Sequence, residues 1–198
     1  MTVHRRLGIA IVLMSLAGVA SAEDKNEAGF TPLFDGKTLE GWHVMNGGKF
    51  VAEDGVIKLN GGRGWLRTDK EYGDFIIKLE VRWMKPKQDS GVFLRATKEG
   101  GGWPNKRYEV QAENSKRIAK IFGAPHQRDE EKAFRLLKED QQWNSYEIKC
   151  QGAQCVVRFN GEQVATSEGF KTPAGYIGLQ GEGGFLEWRN IRVKPLTK

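Results

Sequence analysis

Asp74-Phe75-Ile76-Ile77-Lys78-Leu79-Glu80-Val81-Arg82-Trp83 is the stretch on which the fold turns. Phe75, Ile77, Leu79, Val81 and Trp83 alternate with Ile76, Lys78, Glu80 and Arg82, the period-two pattern of a strand with one face in a core. Outward from it the chain reads as strand after strand. Further segments are Phe50–Ala52, Val56–Leu59, Trp65–Arg67, Ile118–Phe122, Ser145–Cys150, Cys155–Asn160, Gly175–Gln180 and Phe185–Val193. In the last, the apolar register passes from Leu186 and Trp188 to Ile191 and Val193, so a bulge is expected near Arg189-Asn190. Asp54-Gly55 and Asn160-Gly161 separate alternating segments and read as tight hairpins. Glycine fills 25 of 198 positions, well above the usual ~7%, which suits many turns. Only Arg128–Lys138 reads as helical. Many short strands with regular turns predict an all-β, two-sheet antiparallel sandwich or jelly roll.

The N-terminus reads as a signal peptide. His4, Arg5 and Arg6 precede an apolar run from Leu7 to Val19, and Ala20-Ser21-Ala22 fits a small-x-small cleavage rule. The run is short for a membrane span. Residues 1–22 are therefore expected to be removed, leaving 23–198 as a single domain from Glu23, periplasmic or secreted and free of the membrane. Loss of Arg5 and Arg6 takes the formal charge from +6 to +4. The remaining basic residues are scattered among acids, so no nucleic-acid partner is expected. Cys150 and Cys155 flank Gln151-Gly152-Ala153-Gln154. A two-residue turn at Gly152-Ala153 sets them opposite in a non-hydrogen-bonded pair, with Cα atoms roughly 4.5–5.5 Å apart. A disulfide bridges that span and is expected in an oxidising compartment. The plainer reading is two reduced core thiols. Two sulfurs without a His pair do not make a zinc site.

Two segments carry the chemistry. In Ser90-Gly91-Val92-Phe93-Leu94-Arg95, Val92 and Leu94 face one way and Gly91, Phe93 and Arg95 the other. In Tyr108-Glu109-Val110-Gln111, Tyr108 and Val110 oppose Glu109 and Gln111. If the apolar faces share a core, Arg95, Glu109 and Gln111 lie on one outer surface. A guanidinium, a carboxylate and an amide there form a plate for a hydroxyl-rich ligand.

An ordered series of short motifs adds to this: Phe34-Asp35-Gly36-Lys37 with Gly41-Trp42; Glu53-Asp54-Gly55-Val56; Leu66-Arg67-Thr68 with Tyr72-Gly73-Asp74-Phe75; the two segments above; Trp143-Asn144-Ser145-Tyr146-Glu147; Phe159-Asn160-Gly161; and Gly178-Leu179-Gln180 with Trp188-Arg189-Asn190-Ile191-Arg192. In that series the chain resembles the bacterial 3-keto-disaccharide hydrolase family. The resemblance implies a concanavalin A-like sandwich of the lectin/glucanase type, secretion, and action on glycosides oxidised at C3. It carries Arg95, Glu109, Gln111 and Gln180 over as motif positions. Two departures stand out. Gly181-Glu182 occupies the place where many relatives have Asp-His, and Gln88-Asp89 the place of Gly-Asn.

A 3-keto group acidifies the C2 proton, so the site needs a base at C2, a stabiliser for the enolate at O3 and an acid for the leaving oxygen. The sequence assigns Glu109 as base or acid, Arg95 as oxyanion partner and Glu182 as second carboxylate, with Gln111 and Gln180 orienting hydroxyls. The plainer reading makes Arg95 and Glu109 an ion pair and Glu182 a solvated loop residue. The second reading of the whole chain is a lectin-like carbohydrate-binding module. Trp103, beside Gly100–Gly102, would then stack on sugar, or else cap a sheet edge. A third is a laminarinase-type retaining glycosidase, on Glu109-Val110-Gln111-Ala112-Glu113. Residues four apart on a strand are roughly 13 Å apart at Cα, whereas retaining carboxyls sit roughly 5–5.5 Å apart, and the central Asp of that motif is here Gln111. Lys120 and His126 are further candidates for substrate contact, each with a plainer structural or solvated role; His43 is not assigned. Asp35, Asp54, Asp74, Asp89 and Asp129 are dispersed without calcium-loop spacing. No metal site is assigned, though a divalent ion would assist this chemistry. The oligomeric state is open.

Overall fold

In the stretch from Phe75 to Trp83 every odd residue is buried and every even one is half-exposed, as the alternation requires. The structure, a computed structural model, describes residues 27–197; the expected signal peptide lies outside them. In chain order the elements are β1 (Thr31–Pro32), β2 (Trp42–Met45), β3 (Phe50–Glu53), β4 (Val56–Asn60), β5 (Arg63–Tyr72), β6 (Phe75–Trp83), β7 (Gly91–Ala96), β8 (Tyr108–Gln111), β9 (Ile121–Phe122), β10 (Gln127–Arg128), α1 (Glu130–Leu136), β11 (Asn144–Gln151), β12 (Gln154–Phe159), β13 (Glu162–Ser167), β14 (Gly175–Glu182) and β15 (Phe185–Pro195).

The strands form two antiparallel sheets. One runs β10-β13-β12-β11-β6-β15-β4-β3, with β1 added along β15; the other runs β2-β5-β14-β7-β8-β9. Between them lies a single large core that includes Leu66, Ile77, Leu79, Trp83, Val92, Leu94, Val110, Ile148, Leu179 and Trp188. Each large apolar side chain withdrawn from water there contributes about 1.5–3 kcal/mol. The indole of Trp83 also donates to Ala112 O across the core at 3.0 Å, so its buried N–H is satisfied. This is the antiparallel, two-sheet jelly-roll sandwich that the strand pattern predicts.

Turn chemistry follows the same logic. Asp54 and Gly55, and Asn160 and Gly161, take positive φ in pairs, the requirement of a type I′ hairpin. The pairing of β15 with β6 slips between Arg189 and Arg192, and Asn190 has φ 51°, which is the bulge the register change predicts. The helix is shorter than 128–138: Gln127–Arg128 pair with β13, and Asp129 caps α1 by accepting from Lys132 N at 3.0 Å. The expected strand over 118–122 shrinks to Ile121–Phe122 because residues 115–120 form turns bonded back to Gln111.

Cys150 and Cys155 pair directly across β11 and β12, as the turn count requires. The expected disulfide is a point of correction: both stand as free, buried thiols. Burial, and then the hydrogen bond with Cys155, push the Cys150 thiol well above its ordinary range, so that sulfur is held protonated.

Candidate active site

Along β6 only one face is buried, but all six residues of β7 and all four of β8 are. Those strands are therefore covered on both sides, and the second cover is where the polar residues gather. The register places Phe93 beside Glu109 and Gly178, and Gly178 beside Arg67. The next rung has Trp65 beside Gln180 and Gly91 beside Gln111. The outer face of the six-stranded sheet thus carries Arg67, Trp65, Gln180, Phe93, Glu109 and Gln111 over a floor with two glycines. Those glycines make room: a Cβ at Gly91 would lie 2.7 Å from Glu109 Oε1, and one at Gly178 would lie 2.5 Å from the Trp65 ring.

Glu109 is 5% exposed. Its Oε2 accepts from Arg107 Nε at 3.3 Å, while Oε1 lies over Gly91. Burial pushes its carboxyl up to about 7, with Arg107 opposing and the charges of Asp89 and Glu182 adding to the rise. Asp89, just before β7, is raised to about 6, first by burial and then by Glu113 and Glu182. Both oxygens of Asp89 are engaged: Oδ1 accepts from Gln111 Nε2 at 2.6 Å and Oδ2 from Arg117 Nη2 at 2.7 Å. Gln111 Nε2 also reaches Glu113 Oε2 at 3.2 Å. Gln180 donates to Glu182 Oε2 at 3.1 Å, and its own Oε1 is buried without a partner. The result is a half-desolvated cluster of carboxylates in which Glu109 combines burial, an oxygen turned to Gly91 and a pKa raised to about 7, the properties of a general base. A cleft of about 360 Å³ reaches it from the β8–β9 edge, past Arg107, Phe122 and Gly123.

Of the site residues read from sequence, Glu109, Gln111 and Gln180 share this face. Glu182 lies at its rim, exposed. Lys120 stands there too, its Nζ over the Phe122 ring at 5.1 Å, and Phe122 pairs with Glu109. Trp103 lies over the face, but its ring is already covered by the Arg63 guanidinium at 4.2 Å. His126 is not brought in; its Nδ1 contacts Ala124 O at 3.4 Å, on the crossover to β10.

Arg95 is a correction. Strand alternation sends it to the Glu109 face, but Arg95 has φ 48°, and the pairing of β14 with β7 slips between Tyr176 and Gly178. The bulge turns the side chain away, where it is 1% exposed. Its guanidinium donates to Gly73 O, Gly152 O and Thr172 O at 2.9, 2.7 and 2.9 Å, and to Asp74 Oδ1 at 3.0 Å. It is a buried tie between three loops. The guanidinium beside Glu109 is that of Arg107, two residues earlier on the same face, a signal present in the sequence but not used. Asp89, Trp65 and Arg67 were likewise missed. Among the described residues no group of three or more His, Cys, Asp or Glu side chains is arranged to hold a metal ion.

The chain is similar to known proteins in sequence and in fold. Over 80 residues the chain is 36% identical to a 3-keto-disaccharide hydrolase of Bacteroides thetaiotaomicron, a match covering 34% of this chain and 28% of that protein's length. A candidate glycosyl hydrolase of Parabacteroides distasonis superposes with a TM-score of 0.70 at 21% identity, over 90% of this chain and 99% of that one. A carbohydrate-binding module of Bacillus subtilis superposes at 0.61 with 11% identity, over 82% and 99%; these two show the shared sandwich fold. The family model described as a 3-keto-alpha-glucoside-1,2-lyase-like domain matches residues 29–194, nearly all of the described sandwich, and the chain belongs to that family.

Proposed function

We propose that this protein cleaves the glycosidic bond of glycosides carrying a ketone at C3, with Glu109 as the base. The observation that carries the reading is the Glu109 carboxyl, buried, raised to about 7 and bonded through only one oxygen. Glu109 takes the C2 proton, made acidic by the adjacent ketone. The electron pair flows into an enolate whose charge rests on O3, within the field of Arg107. Collapse of the enolate breaks the C1–O bond, and the aglycone oxygen takes up a proton. Asp89, raised to about 6, supplies it once the incoming sugar displaces Gln111 or Arg117 from one of its oxygens. Water then adds at C1 and a proton returns to C2, so the sum is hydrolysis; stopping before that addition gives a lyase.

Incubation of the protein with the 3-keto derivative of trehalose and with trehalose itself, followed by NMR in deuterated water with and without EDTA, tests this. Cleavage of the keto sugar alone, with deuterium entering at C2, is the expected result. Cleavage of both sugars refutes the ketone requirement. The aromatic residues on the same face, Trp65 and Phe93 with Trp103 packed on them, favour a second reading as a carbohydrate-binding module, which is the result if sugar binds saturably and neither compound is cut. The signal-peptide reading of residues 1–22 supports an activity outside the cytoplasm; sequencing the N-terminus of exported protein checks it.

A further inference from the structure

Three buried polar atoms on the outer face of the six-stranded sheet have no hydrogen-bond partner: Trp65 Nε1, Arg67 Nε and Gln180 Oε1. Their residues are 0%, 5% and 3% exposed. They stand in adjoining rungs, Trp65 directly opposite Gln180 and Arg67 two residues along the same strand. Leaving a buried donor or acceptor unpaired is unfavourable, and three together call for a ligand. A fourth such atom, Trp188 Nε1, lies instead in the core between the sheets.

Over Trp65 and Phe93 lies the segment joining β7 to β8, residues 97–107. Trp103 packs onto Trp65 and Phe93, and Tyr176 packs beside them under the Arg67 guanidinium at 4.2 Å. At its C-terminal end the segment is fixed by Arg107, which pairs with Glu109; the part before it is held by the Arg63 guanidinium over Trp103 and by three side-chain hydrogen bonds. Asn46 Nδ2 donates to Gly100 O and Gly102 O at 3.3 and 3.1 Å, and Trp103 Nε1 donates to Gly181 O at 3.4 Å. Gly100, Gly101 and Gly102 run together before Trp103, so the backbone turns with little resistance.

We propose that residues 97–106 of this segment are a cover that lifts to admit one pyranose ring of the substrate, while Arg107 stays on Glu109. Trp65 Nε1, Arg67 Nε and Gln180 Oε1 are the hydrogen-bonding set of that subsite. Two donors and an acceptor, spread over about 4.8 Å between strands and about 6.7 Å along one, have the footprint of a hexose ring. Phe93 and the displaced Trp103 supply apolar ring faces against which a pyranose lies. The subsite adjoins Glu109 through Phe93, so a ring bound there sits beside the base. This inference rests on the sugar-cleaving reading above, and its test separates the two.

The test is a reversible lock, Asn46→Cys with Gly102→Cys, oxidised to tie the cover to the turn after β2 and released with dithiothreitol. The reduced form of the same variant controls for any effect on folding, and wild-type protein taken through the same oxidation and reduction controls for Cys150 and Cys155. The expected result is that the oxidised form loses at least tenfold in cleavage of 3-keto-trehalose, with recovery on reduction, and that acrylamide quenching of tryptophan fluorescence falls on oxidation. In wild-type protein, hydrogen exchange in 97–106 should be at least tenfold faster than in β14. Equal turnover by both forms overturns the cover while leaving the reaction intact. If neither form cleaves the keto sugar, the reaction is refuted and the cover is judged on quenching alone: a fall on oxidation upholds it, and equal quenching overturns it.

Discussion

Glu109 and Arg95 were read from sequence as partners, and at the scale of single residues they now carry opposite predictions. Glu109 is buried beside the Arg107 guanidinium, and burial makes its proton harder to lose, up to about 7. Glu109→Gln keeps the volume and removes the base. Turnover of a 3-keto-glycoside should fall by about 10²–10⁴, the usual share of general-base catalysis, while circular dichroism stays that of the wild type. The wild-type kcat/KM should rise with pH through about 7, because the ionised form is the one that accepts the C2 proton. Arg95, by contrast, satisfies three loop carbonyls and Asp74. Removing one member of a buried charged pair costs about 3–5 kcal/mol, at about 2–4 °C per kcal/mol in a chain of this size. Arg95→Ala should therefore melt at least about 6 °C lower, yet its folded fraction should keep kcat/KM within about twofold. A large kinetic loss at full stability would return Arg95 to the site.

The elements show why one position was legible and the other was not. Alternation along β7 and β8 placed Phe93, Glu109 and Gln111 on the outer face, because the core demands Val92, Leu94, Tyr108 and Val110 on the inner one. It failed at Arg95, where a bulge adds a residue to the count and turns the side chain over. The analogous slip at Asn190 was readable because apolar residues lie on both sides of it; Arg95 has only Ala96 and Thr97 beyond it. Likewise the turn length fixed the pairing of Cys150 with Cys155, but pairing register does not decide whether two thiols are oxidised. The cover over Trp65 is beyond periodicity altogether, since residues 97–106 have none. The two glycines of the floor separate function from stability at this scale. A methyl at Gly91 meets the Glu109 side chain along its length, Oε1 at 2.7 Å and Cγ at 2.8 Å, and displaces the base; a methyl at Gly178 meets the indole of Trp65. Gly91→Ala should cut kcat/KM tenfold or more with a small change in melting temperature. Gly178→Ala should cost about 1–3 kcal/mol of stability, the range for overpacking, read from urea midpoints.

Across the whole molecule the two sheets divide the charge. The outer face of the nine-stranded sheet is laced with ion pairs, among them Arg82–Glu187, Arg189–Glu80 and Lys78–Glu27. The hydrogen bond from Lys78 holds the Glu27 carboxyl below its usual range, so its contribution is present above pH 4.5 and disappears as pH falls through its lower folded value. The other sheet runs the opposite way. Glu109 and Asp89 are raised to about 7 and about 6, above the unfolded values of 4.5 and 3.8. The stability tied to their protonated forms is therefore complete at acid pH and is lost as pH rises through 6 and 7. The two trends together set the maximum on the acid side, near pH 5. A shift from 4.5 to about 7 at Glu109 corresponds to at most about 3 kcal/mol between pH 5 and pH 8. Urea unfolding at those two pH values should show the wild type losing stability on the alkaline side, and Glu109→Gln should lose about 2–3 kcal/mol less, so that at pH 8 the inactive variant is the more stable protein. Equal losses in the two proteins would mean that Glu109 ionises without strain, and the neutral-range base proposed for the reaction would have to be sought elsewhere on the same sheet.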